Sequence, residues 1–141
     1  MADLLKGQCH CGAIHAALLV TRPAAELKLR SCQCCFCTRH GAVTVSDPNG
    51  RATFQLEPAG LVRYRFGTRT STSLLCGICG MYAGAILAAG DQLFAVLNVR
   101  GLAIPQFIGR AGEPVDYDGE TPETRTARRI ANWTPAQIKY R

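Results

Sequence analysis

LLCGICGMYAGAILAAGDQLFAVLNV, residues 74–99, decides the architecture. It carries two apolar runs, 82–87 and 93–99, separated by a short stretch that contains Gly90 and Asp91. Runs of this length between turn residues read as strands. Just before them, Cys76 and Cys79 stand three residues apart across a tight turn. Gly77 and Gly80 let backbone N–H groups approach the sulfurs and temper their charge, a zinc-knuckle pattern. One stretch therefore predicts both a β architecture and a bound metal.

The same texture extends outward. Residues 14–20 are largely apolar, 27–30 and 53–56 alternate, and 42–45 run into the turn SDPNG at 46–50. Residues 61–66 alternate with Val62, Tyr64 and Phe66 on one face, and Tyr64, Phe66 and Phe94 read as core. Strands so frequent, with no helical segments between them, predict an antiparallel all-β domain rather than βαβ units. TPETRTARRIANW, 121–133, is the one helical signal: Thr121 caps, Pro122 fits the first turn and Glu123 complements the dipole. Ala127, Ile130 and Ala131 share a face expected to pack on the sheet, and 110–120 reads as a loop. The expectation is a single all-β domain over 1–141 with mainly antiparallel short strands and one short C-terminal helix.

At 141 residues and 48% hydrophobic, the chain builds a core without cysteine staples. Its net charge of +6 favours anionic partners, but the basic residues are scattered. Without clustering or an aromatic stacking platform, nucleic acid is not the expected partner. The start MADLLKGQCHCG has no basic region leading into an apolar one, so it does not read as a signal peptide. The weakly polar run 81–89 is too short to span a bilayer. A cytoplasmic location is expected, and in that reducing setting eight cysteines serve as metal ligands or reactive thiols rather than disulfides.

A knuckle supplies two ligands, and a closed structural site needs four. Cys9 and Cys11, in C-H-C-G, are the natural second pair, because positions i and i+2 of an extended segment project to one face. Cys9, Cys11, Cys76 and Cys79 are thus expected to form a closed tetrathiolate zinc site, with His10 a spacer turned away. The stretch SCQCCFC, 31–37, offers Cys32, Cys34 and Cys37 as three ligands that leave one corner open. An exogenous thiol bound there would lose its proton. Cys35 is expected to turn away, since neighbours on an extended backbone point opposite ways; the competing reading has Cys35 close the site. His40 is placed to reach this site as acid, base or fourth ligand, and His15 reads as a plain strand residue.

G-x-C-x-C-G at 7–12, C-x-C-x-x-C at 32–37 and C-x-x-C-G at 76–80 resemble the glutathione-dependent formaldehyde-activating enzyme and centromere protein V family, over about residues 4–110. The resemblance implies an all-β zinc fold of the kind called Mss4-like or β-tent, with two zinc ions per chain. It implies a structural zinc on Cys9, Cys11, Cys76 and Cys79 and a catalytic zinc on Cys32, Cys34 and Cys37. It also implies a carbon–sulfur lyase whose partners are a small thiol such as glutathione and a small aldehyde such as formaldehyde, joined as S-(hydroxymethyl)glutathione. Arg39 and Arg100 would then hold the peptide's carboxylates, with Asn98 and His40 facing the same pocket. The chain departs from the family pattern at Thr38, at Ser73, Leu74 and Leu75, and in MYAGAI after Gly80. These changes spare the metal ligands and fall on the substrate side. Two other readings compete: a non-catalytic zinc-stabilised binding module, and a thiol redox or metal-sensing protein using Cys35.

Overall fold

The structure is a computed structural model and describes residues 3–141. Met1 and Ala2, where the reading of the N-terminus begins, lie outside the described residues. The chain is built on eleven strands, β1 (Asp3–Gln8), β2 (Ile14–Val20), β3 (Arg30–Cys32), β4 (Thr44–Val45), β5 (Arg51–Leu56), β6 (Leu61–Tyr64), β7 (Thr72–Cys76), β8 (Tyr82–Ala89), β9 (Gln92–Asn98), β10 (Glu113–Val115) and β11 (Thr134–Tyr140). Two helices, α1 (Cys35–His40) and α2 (Pro122–Asn132), interrupt them. The all-β expectation holds, and most pairings are antiparallel. Two pairings are parallel, β10 with β3 and β11 with β5.

The strands form two connected layers. One runs β1–β2–β5–β11, and the other runs from β6 through β7 and β8 to β9, then through β4 and β3 to β10. Strand β11 belongs to both, because Thr134 and Pro135 pair with β9 while 136–140 pair with β5. Leu18, Phe54, Leu56, Leu74 and Leu97 are fully buried between the layers. Truncating one of them, Phe54→Ala for instance, would cost about 3–5 kcal/mol.

The decisive stretch behaves as a strand buried on both faces. Residues 82–87 are all buried, as a continuous apolar run requires. Ala83, Ile86, Ala95 and Leu97 face the main core. Ala85, Leu87, Phe94 and Val96 face the opposite side and pack with Trp133. On that second side, residues of α1 and α2 join Ala85, Val96 and Trp133 in lining one cavity.

Several expectations are corrected. The helix expected near the C-terminus is there as α2, and a strand that was not expected, β11, follows it and closes the first layer. A second helix, α1, grows out of SCQCCFC, capped by the Cys34 sulfur, which accepts from Cys37 N–H. Residues 27–30 are not a strand, and pairing begins only at Arg30. The loop 110–120 contains β10. Tyr64 and Phe66 are not core: they are exposed and stack with Phe36, with ring centroids 5.8 and 4.8 Å away. Phe94 is buried as expected.

Helix α2 also presents the other face to the fold. It starts as its sequence predicts: Thr121 Oγ1 accepts from Thr124 N–H at 3.1 Å, and Thr124 Oγ1 accepts from Thr121 N–H at 3.0 Å. Yet Ala127, Ile130 and Ala131 are exposed, and Arg125, Arg128 and Arg129 are half-buried. Glu120 draws that polar face inward, accepting from Arg125 Nε at 3.1 Å and from Arg128 Nε at 2.7 Å. Among the described residues, no helix is long and apolar enough to cross a membrane.

Candidate metal centres and the adjoining cavity

The knuckle geometry is visible at both ends of the first cluster. Gly12 and Gly80 each follow a cysteine and adopt left-handed φ values of 85° and 82°, which turn the chain back and suit glycine alone. Cys9 Sγ accepts from Ile14 N–H at 3.3 Å, and Cys76 Sγ accepts from the N–H groups of Ile78 and Cys79, each at 3.4 Å. Such contacts stabilise a thiolate. The Sγ atoms of Cys9 and Cys11 lie 3.8 Å apart, and those of Cys11 and Cys76 lie 3.5 Å apart. All four sulfurs, with Cys79, fall within 4.8 Å of one another. A tetrahedral ion with the zinc–sulfur bond length of about 2.3 Å sets its sulfurs roughly 3.8 Å apart, so the residues fit such an ion. His10 is exposed and outside the cluster, and His15 is a half-buried residue of β2.

The thiols of this cluster act on one another's protons. For Cys11 the Ala13 N–H acts downward, but burial and the thiols of Cys76, Cys9 and Cys79 outweigh it and push the thiol up to about 11. Burial opposes ionisation of Cys79 too, yet the backbone N–H groups of Cys11 and Met81 hold it down to about 6. Like charges this close cannot all ionise unless a cation joins them.

The second cluster arises within six residues. Cys32 ends β3, Cys34 caps α1 and Cys37 sits one turn into it. Their sulfurs lie within 4.8 Å of one another, and Cys34 Sγ accepts from Cys37 N–H at 3.4 Å. The hydrogen bond from Cys37 holds Cys32 down to about 5 against the cost of burial, and the charge of Arg128 helps. The same bond and the nearby negative charge push Cys37 well above the thiol range. This set too could hold a metal ion. Cys35 is exposed and does not belong to the set.

The difference lies in what adjoins each cluster. Cys32, Cys34 and Cys37 line a cavity of about 480 Å³, which Cys9, Cys11, Cys76 and Cys79 do not reach. Its walls include Phe36, Phe66, Tyr82 and Trp133, the hydroxyls of Ser71 and Ser73, and four arginines, Arg30, Arg125, Arg128 and Arg129. Burial first, then the charges of the neighbouring thiols, raises Tyr82 above the usual tyrosine range, so its hydroxyl stays protonated.

The residues expected on the substrate side stand elsewhere. Asn98 is buried, its Nδ2 donating to the Tyr82 carbonyl at 2.9 Å and its Oδ1 accepting from Val43 N–H at 3.1 Å. Arg100 donates to the Gly41 carbonyl and lines a different, smaller hollow. Arg39 is exposed, and His40 is exposed with its ring 4.6 Å from Phe36; neither lines the cavity. The cavity arginines were overlooked by sequence reasoning. Their signal was present, since Arg125, Arg128 and Arg129 repeat at i, i+3 and i+4, the spacing of one helix face.

No protein-family model matches the chain, and no curated protein matches it. A solved structure does: a Rhodobacter sphaeroides protein is 30% identical over 77% of this chain and 97% of its own, with a TM-score of 0.55. The two chains belong to one family.

Proposed function

We propose that this chain, of one family with the Rhodobacter sphaeroides protein, is a zinc-dependent carbon–sulfur lyase acting on a thiol–aldehyde adduct such as S-(hydroxymethyl)glutathione. The reading places it in the cytoplasm and in the glutathione-dependent formaldehyde-activating enzyme and centromere protein V family. The observation that supports it is that a three-thiol cluster lines a cavity of about 480 Å³, which the four-thiol cluster does not line. Three ligands and an open fourth position are the donor arrangement of a catalytic zinc; four protein thiolates are that of a structural one.

Zinc bound there would supply the charge that keeps a fourth sulfur ionised at neutral pH. The chain's own residues do the rest. Cys32, Cys34 and Cys37 hold three corners, and Phe36, Phe66 and Trp133 give the chamber apolar walls that limit water. In the joining direction the thiol sulfur bonds to the aldehyde carbon. The carbonyl π pair moves to oxygen, and that oxygen takes the proton the thiol gave up.

Exchange NMR on an equilibrium mixture of formaldehyde and glutathione tests the reading. The zinc-loaded protein should speed interconversion of glutathione and its hydroxymethyl adduct, and Cys34→Ser should remove the acceleration. A rate equal to the spontaneous one would sink the lyase assignment. A non-catalytic binding module is the second reading. It is favoured by the exposed rings of Tyr64 and Phe66, which stack 5.5 Å apart beside Phe36.

A further inference from the structure

The four cavity arginines are not equivalent. Arg125 and Arg128 share Glu120, and these are the ion pairs among the described residues. Arg128 also lies 3.4 Å over the Tyr117 ring. Arg30 donates to Ser46 Oγ and stands two residues from Cys32. Asp116 and Asp118 line the cavity as exposed residues, with Asp116 accepting from Asp118 N–H. Arg129 has none of these partners. Its Nη1 donates to the hydroxyls of Thr70 and Ser71 at 3.0 and 3.1 Å, and its guanidinium lies 5.0 Å from the Trp133 ring. Its Nε is buried with no hydrogen-bond partner.

A half-buried cation that meets only hydroxyls and an aromatic face is costly to keep. Burial, with Arg128 and Arg125 next to it, brings its pKa down to about 10. Balancing the metal centre does not account for it. Three thiolates on a divalent ion leave one net negative charge, and the guanidiniums that interact with Cys32 are Arg30 and Arg128. With Nη1 tied to two hydroxyls, the guanidinium is fixed in orientation. Its Nε–H is closed off, and Nη2, which is neither closed off nor hydrogen-bonded, is the charged donor left to meet a carboxylate.

We propose that Arg129 heads an anion subsite in this cavity, which takes the carboxylate of the small thiol acid whose sulfur meets Cys32, Cys34 and Cys37. The sulfur half rests on the thiol-binding reading above. The carboxylate half rests on the surroundings of Arg129. The subsite lies on α2, beyond the stretch that carries the cysteine motifs.

Calorimetric titration of the zinc-loaded full chain tests this with three probes: 3-mercaptopropionate, its neutral amide, and propionate. The acid should bind about tenfold or more tightly than the amide, the scale of one charge-assisted hydrogen bond. Arg129→Gln should bring the two to parity at unchanged zinc content, and Arg129→Lys should recover part of the preference. Equal affinity for acid and amide in the unsubstituted chain would overturn the subsite while leaving the thiol reading intact. Propionate binding that Arg129→Gln abolishes, with no gain from either thiol, would keep the subsite and remove the thiol reading. A preference that survives Arg129→Gln, or a loss of zinc in that variant, would overturn the role given to Arg129. The acid-to-amide ratio of the unsubstituted chain decides even where a variant fails to fold.

Discussion

In the four-cysteine cluster, Cys11 and Cys76 are separated by 65 residues, and their sulfurs meet 3.5 Å apart at the edge of the main core. In the three-cysteine cluster, all the sulfurs come from residues 32–37 and line a cavity. The chain brings sulfurs together in both, but at different cost. An ion in the first cluster closes a long loop and joins β1 to β7, so its binding energy is folding energy. An ion in the second closes a few residues that β3 and α1 already order. The first is suited to hold the fold, and the second to hold something that enters.

The largest expected effect follows from the long loop. Cys76→Ser should release one metal and lower stability by about 3 kcal/mol or more, roughly 10 °C in melting temperature. A variant that melts like the parent would break the comparison. Cys34→Ser comes next: it should also release one metal, but calorimetry should show a loss of only about 1 kcal/mol. Unfolding of that variant would make both clusters structural. Thr121→Ala removes the cap of the helix that walls the cavity and should cost about 1 kcal/mol with both metals retained. Loss of metal there would tie α2 to the centre more closely than its contacts indicate. Cys35→Ser should be smallest, within about 0.5 kcal/mol and at full metal content. A missing metal in that variant would put Cys35 among the ligands.

The two regions were unequally legible in the sequence. That the cysteines gather as two groups could be read because their spacing is local: two residues, three residues, a turn with glycine. The apolar strands β2, β8 and β9 could be read because burial leaves period-2 or continuous apolar runs. Strand β11 left no such trace, for TPAQIKY is half-exposed and carries a proline, and only its pairing with β5 and β9 defines it. Alternation in 61–66 marked a face but not its destination, and Tyr64 and Phe66 went to the surface beside Phe36. On α2 the apolar stripe was a weaker guide than the arginine face, because Glu120, Thr70 and Ser71 supply partners that Ala127 and Ala131 cannot rival. Thr70 and Ser71, distant in sequence from Arg129, help to set that face, and spacing alone does not reveal them.

The proposed contrast between a closed and an open centre can be measured directly by zinc-edge X-ray absorption on the protein loaded with zinc. The account predicts an average between three and four sulfurs per metal at about 2.3 Å, rising to four when glutathione is added. Four sulfurs per metal before any thiol is added, or no change on adding it, would contradict an open three-cysteine centre.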